Sequence, residues 1–351
     1  MSENLNGVSM VSASEGWVVG TSGTILHTTN CGASWKAQPS DTKQPLEAIS
    51  APDAWHVLAV GWLRTMRFSG DRGATWAHRG GGALSALRGV DFLDELRGWV
   101  VGESAEEVVI GSQAYQPGVM LRTTDGGRSW AGVDIPADGW LNDVDFVDEY
   151  HGWAAGRYGH VWYTSDGGQT WTLRPPGDPE PGRFLYRVQF FDENEGWVTQ
   201  NFFGLHHTTD GGLTWEHIRP GPLSPPHGMH WDADRQHGWV VFGNSTTVRT
   251  TNGGEEPEDW DWISADGNFR DVYFLPGSPL GWMVGDGGEA RGFPGVIYHS
   301  TDYGQTWQAQ TNGGQPWTEN ALRGVFFIDR DTGWAVGYRG TIPVSYTHLR
   351  A

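Results

Sequence analysis

The chain is short of cysteine, lysine and long apolar runs, and each scarcity removes a class of protein. A single cysteine, Cys31, in 351 residues excludes an internal disulfide and any cysteine-built metal framework. Lysine occurs only at Lys36 and Lys43, and 23 basic residues face 42 acidic ones. The formal net charge of -19 argues against nucleic-acid partners and anionic membrane surfaces, because phosphate contacts need clustered Lys and Arg. No stretch approaches the roughly 20 apolar residues of a membrane-spanning helix, and the opening MSENLNGVSM lacks the basic and apolar regions of a signal peptide. The expectation is a soluble chain with no membrane insertion, its compartment left open.

What the chain does have is glycine and tryptophan. Gly is 52 of 351, about twice its average share, Trp is 21, and only 38% of residues are hydrophobic. Length alone suggests two domains at about 150 residues each, but short strands and many turns favour one large all-β domain.

Internal repetition decides the matter. Gly-Trp, or Ala-Trp once, recurs at Trp17, Trp55, Trp99, Trp153, Trp197, Trp239, Trp282 and Trp334, at intervals of 38 to 54 residues. About twelve residues earlier stands a period-2 apolar run, as in LRGVDF from Leu87, LNDVDF from Leu141, FRDVYF from Phe269 and LRGVFF from Leu322. The Gly-Trp segment reads as a second strand, GTILHTT or HVWYTS as a third, and a fourth opens with another Trp. Four antiparallel strands per unit make one propeller blade.

The turn after the third strand repeats Ser/Thr-x-Asp-x-Gly-x-Ser/Thr-Trp, the Asp-box, with key positions Asn30, Asp71, Asp125, Asp166, Asp210 and Asp302; a seventh copy at Asn252 loses register in EEPEDW. The Asp carboxylate accepts N–H groups of its own turn, the Gly permits a left-handed backbone, and the Trp buries its ring between sheets. These positions are therefore read as structural rather than calcium-binding or catalytic. Fifteen of the 21 tryptophans occupy the two recurring positions, which makes the excess mainly core.

LRGVxF, then GWxVG, then GTIxxTxDGGxTW resembles the Asp-box β-propellers related to the photosystem II stability and assembly factor, from Leu5 to Ile342. The resemblance implies a seven-bladed, non-catalytic assembly scaffold that holds a partner protein, and its members are often exported. Asp-boxes also occur in sialidases, xyloglucan-cleaving glycosidases and sortilin-type receptors. A sialidase-like site requires a Phe/Tyr-Arg-Ile-Pro motif, and the nearest strings, RFLYRV from Arg183 and YRGTIP from Tyr338, do not fit it. A glycosidase pair of carboxylates about 5 to 10 Å apart has candidates in Glu103, Glu106, Glu107 and Asp286, where two loops after second strands are enlarged.

Near the start of the first strand one position recurs as Arg88, Arg187, Arg270 and Arg323. Four guanidinium groups on one face form a local positive site for a protein partner or acidic peptide segment; the alternative is that each pairs with a neighbouring Asp such as Asp91, Asp143 or Asp271. Trp62, after a second strand on the same side, is a further partner-binding candidate and the one most suited to a glycan. The other tryptophans outside the repeat, Trp140, Trp162, Trp231, Trp262 and Trp317, are read as blade packing, and the acidic run around Glu255 to Asp261 as a solvated turn. His27, His207 and His299 share one slot in three different blades, which keeps them from converging on a metal. No motif calls for a cofactor.

The sequence predicts one all-β domain over residues 5–342, a seven-bladed propeller, with an eighth partial repeat at Leu322 that leaves eight blades open. Residues 343–351, PVSYTHLRA, carry no Asp-box and read as a truncated or foreign end rather than as ring-closing strands.

Overall fold

The computed structural model describes residues 3–338 apart from 13, 80–84, 105–107, 111–112, 136–138, 178–181, 202–203, 220–225, 244, 288–293, 312–317 and 331. Seven four-stranded antiparallel sheets follow one another as the blades of a β-propeller. Blade 4 is typical: Leu141–Phe146, Gly152–Gly156, Val161–Thr164 and Thr172–Leu173, paired in chain order. The first strands of the others are Leu5–Met10, Leu46–Ser50, Ser85–Phe92, Leu185–Phe190, Pro226–Trp231 and Asn268–Phe274. Each of these contacts the first strand of the next blade, so they form the inner wall of a ring. No helix among the described residues is long and apolar enough to cross a membrane.

The eighth repeat forms two strands, Leu322–Asp329 and Thr332–Gly337. They touch both blade 7 and blade 1. Trp334, fully buried, lies over Gly32 of the blade 1 box, as Trp17 lies over Gly73 of the blade 2 box. The described strands of this repeat therefore stand in the ring between the last complete blade and the first. The tail 343–351 lies outside the described residues.

The Gly-Trp motif has a packing cause. The Trp of one blade stacks on an aromatic residue at or near the end of the first strand of the next: Trp99 on Phe146 at 3.4 Å, Trp153 on Phe190 at 3.5 Å, Trp239 on Phe274 at 3.6 Å, Trp282 on Phe327 at 3.5 Å. That aromatic ring in turn covers the Gly of its own blade's motif, where a Cβ on Gly152 would strike Phe146. Each of these tryptophans buries a large apolar ring in a close-packed seam between blades.

Blade 2 corrects one assignment. Its second strand is Val57–Gly61, and Leu58 pairs with Phe68 as Trp17 pairs with His27. Leu58 therefore fills the core position, and Trp55 lies three residues earlier in the preceding turn, 57% exposed. The Ala-Trp dipeptide matched the motif by letter but not by strand register. Trp162 and Trp231 are buried as expected, while Trp262 is exposed; Trp317 falls outside the described residues.

Candidate functional site

The boxes consume their own carboxylates. Asp166 Oδ1 accepts Thr164 Oγ1–H at 2.8 Å and Thr170 N–H at 2.9 Å, and Oδ2 accepts Thr170 Oγ1–H at 2.6 Å. Gly167 and Gly168, at φ 71° and 84°, turn the chain through the left-handed region. Asp71, Asp125, Asp210 and Asp302 repeat this pattern. Burial works to raise the Asp166 pKa, but the bonds from Thr170 and Thr164 outweigh it and hold the carboxyl below its ordinary value. Asn30 does the same work with an amide, accepting Ser34 N–H at 3.0 Å. At Asn252 the extra residues form a single 3₁₀ turn, Pro257–Asp259, and Trp260 returns to the usual buried slot. There Asp261 is not merely solvated but pairs with Arg249 at 2.9 Å.

A β-bulge recurs at the opposite end of the blade. Leu87 pairs with Gly102 and Gly89 with Val101, so Arg88 is skipped; the same slip leaves Asn6, Glu47, Asn142, His227, Arg270 and Arg323 unpaired in their blades. A bulge re-aims the extra side chain out of the sheet. The last Gly of the second strand makes room for it, since a Cβ on Gly102 would collide with the Ala86 carbonyl.

Arg88, Arg270 and Arg323 each follow the first buried residue of the strand by one position, and share this slot. Arg187 follows Leu185 by two, so Tyr186 holds the slot and Arg187 falls in the next. It is therefore not a fourth member of the set. Its guanidinium lies 4.0 Å from Asp143 of the neighbouring blade and close enough to Asp271 to lower that carboxyl's pKa.

The bulge residues of blades 1 to 4 and the eighth repeat surround one cavity of about 500 Å³. It brings Arg88, Arg323 and Trp62 together with Glu47, Asn6 and Asn142; Arg187 and Arg270 do not line it. Asn6 and Asn142 hold the wall by donating from Nδ2 to the Leu46 and Leu185 carbonyls, at 2.9 and 2.7 Å. Arg88 pairs with Glu103 at 3.0 Å, and its guanidinium stands 5.5 Å from the centre of the Trp140 ring. Arg157, which the repeat did not flag because it lies in a turn, approaches the same ring at 4.4 Å. Arg323 donates to the Tyr338 hydroxyl at 2.5 Å and has no carboxylate partner among the described residues. Trp62 is 54% exposed. The result is an open mouth that sets two guanidinium groups, one of them paired with a carboxylate, beside an exposed Trp.

The carboxylates of the inner strands bridge blades. Phe146 N–H donates to Asp91 at 3.0 Å, Val188 N–H to Asp143 at 3.1 Å, Phe190 N–H to Asp145 at 2.6 Å and Val325 N–H to Asp271 at 2.9 Å. Of the three named as arginine partners, only Asp143 pairs with one of the four. Burial raises all four pKa values, that of Asp271 to about 6; each further carboxylate raises Asp91 and Asp145 more.

Of the glycosidase candidates, Glu103 is engaged by Arg88, and Asp286 is 4% exposed and accepts Asn268 Nδ2–H at 2.9 Å. Glu106 and Glu107 lie outside the described residues. Arg270 donates to His227 at 3.0 Å and stands 3.8 Å from Asp286. His27, His207 and His299 stack on Trp17, Trp197 and Trp282 of their own blades. Among the described residues no three His, Cys, Asp or Glu side chains are grouped to hold a metal.

Comparison with known proteins agrees with this architecture. Residues 128–229 match the family described as photosynthesis system II assembly factor YCF48, and residues 298–309 match the BNR/Asp-box repeat. The photosystem II assembly lipoprotein Ycf48 of Synechococcus sp. (strain CC9902) is 27% identical over 205 residues, covering 48% of this chain and 62% of the relative. The chain thus spans less than two thirds of that protein. A solved structure of YCF48 bound to D1 peptide superposes with a TM-score of 0.59 at 18% identity, over 98% of this chain and 93% of that one. The GH74 xyloglucanase of Xanthomonas campestris gives 0.61 at 14% identity, over 99% of this chain and 52% of that one. The chain is a BNR-type β-propeller that resembles the photosystem II assembly-factor family.

Proposed function

We propose that the propeller is a non-catalytic scaffold that holds a protein partner at the bulge-lined mouth, through an acidic segment or a free C-terminal carboxylate. The observation that carries this is the convergence of Arg88, Arg323 and exposed Trp62 on one cavity. A guanidinium takes a carboxylate in paired hydrogen bonds, and an exposed Trp supplies an apolar anchor at small entropic cost. Arg323, with no carboxylate of its own among the described residues, is the group best placed to accept one from outside. The likeness to a YCF48 solved with a D1 peptide supports a polypeptide ligand.

The test is affinity capture from host extract with the wild type and with a folded Arg88→Glu/Arg323→Glu variant. A protein retained by the first and lost by the second, with retention falling at higher salt, supports the proposal. Capture that ignores both changes refutes it. The GH74 likeness favours a second reading, glycan binding or hydrolysis with Trp62 as the sugar platform. Release of reducing ends from xyloglucan, abolished by Glu103→Gln, would establish that reading instead.

A further inference from the structure

The turn joining the first two strands lies at the end of the blade opposite the cavity, and its design repeats. In each of the seven blades one residue of this turn uses its carbonyl to accept an N–H from the Asp-box, for example Leu96 from Gly126 at 2.8 Å, Tyr150 from Gly167 at 2.9 Å and Asn194 from Gly211 at 2.7 Å. The fold thus uses the backbone here and requires nothing of the side chain, although at Trp55 the Arg72 guanidinium stands 5.5 Å from the ring centre. Blades 1, 5, 6 and 7 fill the position with Ser14, Asn194, Gln236 and Pro279. Blades 2, 3 and 4 fill it with Trp55, Leu96 and Tyr150, which are 57%, 44% and 53% exposed.

Three large apolar side chains stand exposed at one position of three consecutive blades, an arc that the fold does not require. The arc is rigid: Asp53, Asp94 and Asp148 accept the N–H of Trp55, Leu96 and Tyr150. Ordering it on binding therefore costs little. The arc is also set in negative charge. Glu95 and Glu149 immediately precede Leu96 and Tyr150; of the arginines beside them, Arg97 pairs with Asp94 and Glu149 at 2.6 Å each and Arg72 with Glu15, while Arg128 donates to the Asp125 carbonyl and meets His56. Apolar anchors in an acidic field fit a ligand that carries apolar and cationic groups together, and the face of Tyr150 adds a cation–π attraction of the kind Arg72 already makes with Trp55.

We propose that Trp55, Leu96 and Tyr150 form a second docking surface, on the face away from the cavity, for a polypeptide segment that alternates apolar and basic side chains. The test is fluorescence anisotropy with a labelled peptide of alternating Lys and Leu, beside Glu-Leu and Lys-Ser peptides of equal length. The variant is Trp55→Ser/Leu96→Ser/Tyr150→Asn, which borrows the residues of blades 1 and 5 and leaves every charge in place. The expected result is binding of the Lys-Leu peptide alone, weakened about tenfold or more in the variant. Tyr150→Asn alone gives a smaller loss, which keeps the test readable if the triple variant unfolds. Undiminished binding by the folded variant, equal binding of the Glu-Leu peptide, or no binding by the wild type would each overturn the proposal. Self-association of the wild type that the variant abolishes would assign the arc to a second copy and overturn it also. The Arg88→Glu/Arg323→Glu variant keeps full Lys-Leu affinity, so failure here and failure of the cavity proposal are distinguishable.

Discussion

Asp166 sits among the hydroxyl and amide donors of its own hairpin, which take both of its carboxylate oxygens. Asp166→Ala leaves those donors partly unsatisfied and is expected to cost about 1–3 kcal/mol, while Asp166→Asn costs less, because Asn30 already serves in the same place. Urea denaturation of the two variants measures the difference. Since the folded carboxyl titrates below its ordinary 3.8, the contribution is complete above that value and is lost as pH falls through the lower folded one. Box residues of this kind were legible in the sequence because side chain and partner lie within four residues. Arg187 was not: its place depends on a bulge that starts at Leu185, and one position of slip moves a guanidinium from the mouth of the ring to the side of Asp143.

At the scale of the strand, the Gly-Trp dipeptide records a contact between two strands and the neighbouring blade. Phe146 lies over Gly152 and against Trp99, so Gly152→Val forces the ring out of its seam, an overpacking of about 1–3 kcal/mol. Blade 2 shows the compensated form: Ala51 ends the inner strand region and Val57 takes the place of the Gly. Phe146→Ala alone removes the stack and opens a cavity costing about 3–5 kcal/mol. The double variant is expected to be less destabilised than the sum of the singles by about 1–3 kcal/mol, as a double-mutant cycle in guanidinium measures. A sum that is strictly additive would mean that the Gly answers to something other than the ring. This pairing also explains why Trp55 misled the sequence reading. With no aromatic at position 51 there is no call for Gly at 57, and the nearest Trp belongs to the turn.

The strands of each blade and the order of the blades around the ring were readable from the repeat, because each unit carries the same strand and turn signals; the count of seven was implied by the family resemblance, with eight left open by the partial repeat at Leu322. Closure was not, since it rests on contacts between residues more than 300 apart, Trp334 over Gly32. The seam on the other side of the eighth repeat shows how the inner wall is held: Asp271 of blade 7 accepts the Val325 N–H at 2.9 Å, one of several carboxylates that bridge neighbouring inner strands. These bridges have a pH signature opposite to that of the boxes. Burial raises Asp271 to about 6, against the pull of the Val325 amide and Arg187. Below pH 3.8 the group is protonated folded and unfolded, and contributes nothing. As pH rises from about 4 to about 6 the unfolded chain gives up its proton first, so the folded state loses stability, up to about 3 kcal/mol above pH 6. Asp271→Asn keeps an oxygen for Val325 and removes the ionisation. Its melting temperature, measured from pH 4 to 8, is expected to match the wild type at pH 4 and to exceed it by several degrees at pH 7. Parallel curves would show that Arg187 already neutralises the carboxylate in the folded ring, and that the wall is closed by an ion pair rather than by a buried acid.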